Sequence, residues 1–393
     1  MNKRQLLKAG ALALAQTLAF AGLASPAHAE DTLKIGLVLP MTGPFASTGK
    51  QIDAAVKLYL AQNGNTVAGK KVEVILKDDG GVADATRRLS QELVVNDKVV
   101  VLAGYGLTPL AFATAPIATQ SKTPMVVMAA ATSSVTERSP YIVRTSFTLP
   151  QVTVAVAEWA NKNKLKKFVT LVSDYGPGID AEKTFKERVQ LNGGQVVAEL
   201  RVPVANPDFA PFLQRVRDAQ PDAVFVFVPS GVGAAFMKQF AERGLDKAGI
   251  RLIATGDLVD DDILNSMGDV ALGIVSSHPY SAAHPSAMNK KFVEAFGKAT
   301  GGMRPNFFGV AGYDGMHVIM EGLKATKGAG GEALVDAMKG QVFESPRGQV
   351  LIDAKTRDIV QDVYVRKVER VGGQLYNVEF DVQRAVKDPG KTK

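Results

Sequence analysis

Few residues in this chain stand in patterns that chemistry would need. Ser47-Thr48-Gly49-Lys50 has the Ser-x-x-Lys spacing of serine enzymes that act on β-lactams. Neither a Ser-Asp-Asn nor a Lys-Thr-Gly segment accompanies it, so the spacing reads as coincidence. Gly104-Tyr105-Gly106 follows an apolar run and could open a dinucleotide turn, but Pro109 stands where the third glycine belongs. Gly49-Lys50 lacks the upstream glycine loop that cradles a phosphate. Asp260-Asp261-Asp262 does not have the spacing of a calcium loop and reads as the solvated start of a helix. His278 and His284 have no carboxylate at metal spacing, and His317, among apolar neighbours, reads as a packed or surface side chain. The order of residues builds no Ser-His-Asp constellation. The expectation is a protein with no catalytic residue, no metal site and no cofactor.

Composition narrows the classes further. The chain has no cysteine, which removes disulfides, thiolate metal sites and cysteine nucleophiles together. Of its 393 residues 46% are hydrophobic and 22% charged, a balance that supports packed domains and, at this length, two or three of them. Lys3, Arg4 and Lys8 precede the apolar run 9–24 and the small-residue end Ala27-His28-Ala29. This is the pattern of a cleaved secretory signal peptide over residues 1–29, too short to span a bilayer comfortably. With no cysteine to carry a lipid, no lipid anchor is expected. Cleavage would remove three of the basic residues behind the formal charge of +7. Three more lysines, Lys387, Lys391 and Lys393, lie in a terminal stretch with Pro389 and Gly390 that is expected to fray. No basic face for nucleic acid remains.

The elements that must position any site alternate in type. Apolar or alternating runs at 33–39, 71–76, 99–102 and 124–128 predict strands, separated by helical spacing at 56–60 and 87–95. The rhythm restarts after Pro150: helix 152–159, strand 168–172, helix 181–189, then strands 196–202, 223–228 and 250–254. A turn at 276–279 precedes helices at 288–298 and 310–324, and 348–379 is strand-like. Strands alternating with helices predict parallel sheets in an α/β chain of two doubly wound lobes. In such sheets ligands bind beyond the carboxyl ends of the strands. The loops 41–49, 104–109, 130–134, 174–178, 229–233 and 255–260 are therefore the candidate crevice, and their small, hydroxyl and aromatic residues suit a small polar molecule with an apolar body.

Three segments in those positions, Pro40-Met41-Thr42-Gly43-Pro44-Phe45-Ala46-Ser47-Thr48-Gly49, Ala131-Thr132-Ser133 and Asp174-Tyr175-Gly176, together with 307–315 late in the chain, resemble the leucine/isoleucine/valine-binding protein family. These are type I periplasmic solute-binding proteins that serve ABC importers. The resemblance covers essentially the whole chain after residue 29. It implies two lobes joined by a three-segment hinge: residues 30–148 plus 281–352 as lobe 1, and 149–280 plus 353–393 as lobe 2. The crossings would lie near 146–150, 276–280 and 348–355.

The resemblance also implies roles. Thr108, with Tyr105 in the same turn, and Ala131 and Thr132 would hold a ligand carboxylate through amides and hydroxyls, although Thr108 and Thr132 could equally cap helices. Asp257 would face a ligand ammonium or be an exposed turn residue, with Tyr175 and Ser230 in matching second-lobe loops. Phe45, Tyr280 and Phe308 would wall the apolar end, although Phe308 could equally be core, and Thr48 would also touch the ligand. Thr48 stands where leucine binders can have a tyrosine, Asp257 is one methylene shorter than the glutamate often found, and the family's first-lobe disulfide cannot form. The implied function is capture of a branched-chain-type amino acid or similar small carboxylate, in the periplasm, for delivery to ABC permease subunits by a monomer. Aromatic carboxylates of benzoate or cinnamate type are the alternative ligands, and a sensor docking on a receptor is the alternative role.

Overall fold

A computed structural model describes residues 32–391; the expected signal peptide lies outside them. The first sheet holds β1 (Leu33–Leu39), β2 (Thr66–Val67), β3 (Lys70–Asp78), β4 (Val101–Gly104), β5 (Met125–Val127) and β6 (Ile142–Arg144), in the order β2-β3-β1-β4-β5-β6. Its members pair in parallel except β2, which folds back on β3. The crossovers are α1 (Ala46–Asn63), α2 (Ala83–Val95) and α3 (Thr108–Ser121). β1 shows why the sheet forms: an apolar run with both faces covered, almost wholly buried between parallel neighbours.

After α4 (Leu149–Lys162) the second sheet begins with β7 (Lys167–Ser173), α5 (Gly176–Gln190), β8 (Gln195–Val202), α6 (Ala210–Ala219), β9 (Ala223–Phe227), α7 (Ser230–Glu242) and β10 (Arg251–Thr255). A four-residue helix, α8 (Leu264–Met267), leads to β11 (Val275–His278). Three helices, α9 (Ala287–Thr300), α10 (Phe307–Ala325) and α11 (Gly331–Met338), then return to the first lobe, where α10 packs along α1. The chain ends with β12 (Val342–Ser345), β13 (Gly348–Ile352), β14 (Ile359–Val371) and β15 (Gln374–Val386), and these extend the second sheet. The order there is β12-β13-β14-β11-β10-β9-β7-β8, with β15 on β14.

Two expectations need correction. The stretch 276–279 is not simply a turn, because Ser276 to His278 form most of β11, parallel to β10 and antiparallel to β14. Its polar sequence misleads: the strand is fully buried, and the Ser276 hydroxyl accepts from buried Arg366 at 3.1 Å. Nor does the end of the chain fray as far as Lys391. The Lys391 side chain is buried in an ion pair with Asp358, and Asp388 accepts from the Ser133 hydroxyl at 3.1 Å.

Polar side chains fasten the segments that cross between the sheets. Thr148 and Gln151 form a reciprocal cap at the start of α4, each side chain accepting from the other's amide. Arg347 is buried and donates to Thr145 O at 2.7 Å, Ser146 O at 3.1 Å, Gln361 Oε1 at 2.8 Å and Asp314 Oδ2 at 2.6 Å. One guanidinium thus ties two crossing segments to α10, and such buried ion pairs fix geometry more reliably than they add stability.

Candidate functional site

The carboxyl ends of the parallel strands face one another across a cleft. From the first lobe come Phe45 and Thr48 after β1, Gly106 to Thr108 after β4, and Ala129 to Ala131 after β5; Phe308 joins them from the first turn of α10. The second lobe contributes Tyr175 and Pro177 after β7, Phe227, Pro229 and Ser230 around the end of β9, and Asp257 after β10. Phe147 and Leu149 close the back where the chain crosses. These walls leave about 390 Å³ free of protein atoms, counted out to the mouth, at the small end of the range for ligand pockets.

Eight of the eleven residues singled out from sequence line this space: Phe45, Thr48, Thr108, Ala131, Tyr175, Ser230, Asp257 and Phe308. Thr132 stands just behind it and accepts from the Thr108 hydroxyl at 3.1 Å. Neither threonine makes a side-chain cap to its helix, so both hydroxyls belong to the turn. Tyr105 and Tyr280 do not line the cleft. Tyr105 is buried in the first-lobe core beside Ser90, and the Tyr280 hydroxyl donates to Asn289 at 2.9 Å. Among the lining residues not singled out, Phe147 lay within a crossing already located. Phe227 was hidden in an all-apolar strand, where nothing distinguishes the last ring from its neighbours; it stacks on Tyr175, with centroids 6.1 Å apart.

The two ends of the cleft differ in chemistry. At the first-lobe end the peptide of Ala131 sends its carbonyl to the Leu149 amide at 3.0 Å, and among the described residues no protein group accepts from the Ala131 or Thr132 amides. The hydrogen-bonded Thr108–Thr132 hydroxyl pair keeps one proton free, and with the two amides it supplies donors for an anion without a charged side chain. At the second-lobe end the Asp257 carboxylate is buried and accepts from Thr255 Oγ1 at 2.9 Å, with His278 Nε2 3.7 Å away. Burial pushes His278 down to about 4, against the pull of Asp257, so the imidazole is neutral. Burial, and then the charge of Asp257, raises Tyr175 well above the usual phenol value. The Ser230 hydroxyl is buried beside the Asp260 carboxylate.

The acidic run beside this end is not solvated as expected. Asp260 and Asp261 are buried, and Asp260 accepts from Asn306 Nδ2 of the first lobe at 2.9 Å. Burial raises Asp260 well above the usual carboxylate range, helped by Asp262 and Asp261. Asp262 accepts from Ser47 across the cleft, and on the other flank Asp180 accepts from the Ser133 amide at 2.9 Å. Two glycines permit this approach. A Cβ on Gly231 would meet Pro44 O at 2.4 Å, and one on Gly176 would meet Thr132 Oγ1 at 2.5 Å. Among the described residues no group of three or more His, Cys, Asp or Glu side chains suits a metal ion, and no helix is long and apolar enough to cross a membrane.

Two α/β lobes closed on a ligand-sized cleft at their strand ends define a solute-binding architecture. Residues 32–374 match the periplasmic binding protein family, and the chain belongs to that family. It is 43% identical over 378 residues to Leu/Ile/Val-binding protein homolog 6 of Brucella melitensis, covering 95% of this chain and 97% of the relative. Among solved structures it is 64% identical to a solute-binding protein of an ABC transporter from Rhodopseudomonas palustris BisB5 in complex with 3,4-dihydroxy benzoic acid. That match has a TM-score of 0.90 and covers 92% of this chain and all of the other. A second, from R. palustris HaA2 in complex with p-hydroxybenzoic acid, is 42% identical with a TM-score of 0.89, over 92% and 100%. The family and these relatives are binding proteins, and the family implies the periplasm.

Proposed function

We propose that this chain captures a hydroxylated aromatic carboxylate between its lobes and delivers it to the permease subunits of an ABC importer, without bond chemistry. The observation that carries this is the lining itself. Phe45, Phe147, Tyr175, Phe227 and Phe308 surround a small space with uncharged anion donors at one end and Asp257 with Ser230 at the other. A flat ring fits between aromatic walls, its carboxylate satisfied by the first-lobe donors and its hydroxyl donating to Asp257. The ligands held by the two R. palustris proteins have this form. A branched-chain amino acid is the second reading, favoured by the burial of Asp257, which an ammonium would neutralise.

The same reading takes residues 1–29 as a cleaved export signal and the working form as a periplasmic monomer. It divides the chain into residues 30–148 plus 281–352 and 149–280 plus 353–393; the first sheet ends at Arg144 and α10 and α11 pack on it, whereas β12 and β13, within 342–352, pair into the second sheet. Thermal shift of refolded residues 30–393 with 3,4-dihydroxybenzoate, 4-hydroxybenzoate, benzoate and leucine tests the ligand. Ligand at a hundredfold excess over its Kd adds about 2.7 kcal/mol of stability, a measurable rise in Tm. The hydroxybenzoates should give the largest rise; a rise with leucine alone overturns the aromatic reading in favour of the amino acid.

A further inference from the structure

Arg144 ends β6 with its side chain fully buried, and it does not line the cleft. Its guanidinium nevertheless donates to three carbonyls of the turn that does: Ala130 O at 3.2 Å, Thr132 O at 2.7 Å and Ser133 O at 3.2 Å. A trans peptide points its carbonyl and its amide to opposite sides. Drawing the Ala130 carbonyl inward therefore turns the Ala131 N–H the other way, from a residue that lines the cleft. Drawing in the Thr132 carbonyl turns the Ser133 N–H outward, to Asp180 Oδ2 on α5 of the second lobe at 2.9 Å. One buried side chain sets a ligand-facing amide and a lobe-closing amide together.

Arg144 is itself locked in place. Its Nε and Nη2 both reach Asp358 Oδ1, at 2.7 and 2.6 Å. The other oxygen of Asp358 accepts from Thr136 Oγ1 at 3.2 Å and from Lys391 Nζ, whose side chain is only 6% exposed. Asp388 holds the Ser133 hydroxyl of the same turn. The end of the chain thus returns to brace the back of the turn whose front faces the cleft.

We propose that Arg144, locked by Asp358 and by the tail 388–391, is the positioning residue of the anion site. It aims the Ala131 amide at the ligand carboxylate and the Ser133 amide at the closing lobe. The inference rests on the reading that a carboxylate docks on this turn; which carboxylate it is does not matter.

Arg144→Lys keeps the charge but loses the planar fork that reaches three carbonyls and Asp358. Wild type, Arg144→Lys and Lys391→Met are titrated with 4-hydroxybenzoate and with the neutral 4-hydroxybenzamide, or with leucine and leucinamide if wild type takes leucine. Arg144→Lys should lose about tenfold or more in affinity for the acid, and Lys391→Met about threefold, with the preference for acid over amide falling by similar factors. If Arg144→Lys does not fold, Lys391→Met and a chain ending at Lys387 carry the same test. An unchanged acid-over-amide preference, even with a lowered Tm, assigns these residues to stability alone and overturns the proposal. Failure of wild type to bind any carboxylate is a separate result: it overturns the reading of the site, and the inference with it.

Discussion

The first-lobe end of the cleft offers a ligand no charged side chain, whereas the second-lobe end offers a buried carboxylate. At the first, Thr108 and Ala131 line the space with Thr132 just behind them, and the charge of Arg144 stays behind the peptide. At the second, Asp257 lines the space itself, with neutral His278 and the acidic run 260–262 close by. One cleft can thereby read two groups of one ligand. Fixed dipoles accept any carboxylate at little cost in desolvated charge, while a buried acceptor discriminates between ligands that can donate to it and those that cannot.

The sharpest way to break this contrast is Asp257→Asn. A hydrogen bond to a charged group contributes about 1.5–3 kcal/mol, so 4-hydroxybenzoate should lose roughly 10- to 150-fold in affinity while benzoate changes little. Calorimetric titration of both ligands checks it, and equal losses would remove the hydroxyl role from Asp257.

His278 makes the second-lobe end sensitive to pH. Its folded pKa, about 4, lies below the ordinary histidine value, so the unfolded chain takes up its proton first as pH falls. The stability this neutral imidazole secures is fully present above about pH 6.5 and declines as pH falls toward about 4. Between pH 7 and pH 5 wild type should lose about 2 kcal/mol through this group, and His278→Gln should lack that component. Denaturant titrations of both proteins at the two pH values measure the difference; parallel profiles would contradict it.

Thr108→Val should produce the smallest effect, about 0.5–1.5 kcal/mol, and the same for benzoate as for 4-hydroxybenzoate. A loss confined to the hydroxylated ligand would place Thr108 at the wrong end.

Much of the frame was legible from residue pattern, because buried parallel strands such as β1 and β9 are apolar on both faces and stand out from the helices between them. The loops after those strands were legible too, since topology alone places them at the crevice. What pattern could not show is burial of polar residues by distant partners. Ser276 to His278 look like a turn until Arg366, far along the chain, satisfies the strand. Asp260 looks solvated until Asn306 reaches it from the other lobe, and Lys391 looks frayed until Asp358 accepts it. Tyr105 sits in a cleft loop but turns into the core, where φ of +70° aims the chain differently from its neighbours. Aromatic walls are equally silent in sequence, because a ring at the end of a strand serves core and ligand alike.

The division of labour between the two ends is tested most directly by a crystal structure of refolded protein with 4-hydroxybenzoate. The carboxylate should lie against Thr108 and the Ala131 amide, with the ring among Phe45, Phe147 and Phe308 and the hydroxyl on Asp257. A ligand bound in the reverse sense, carboxylate toward the second lobe, or one seated outside this cleft, would contradict the account.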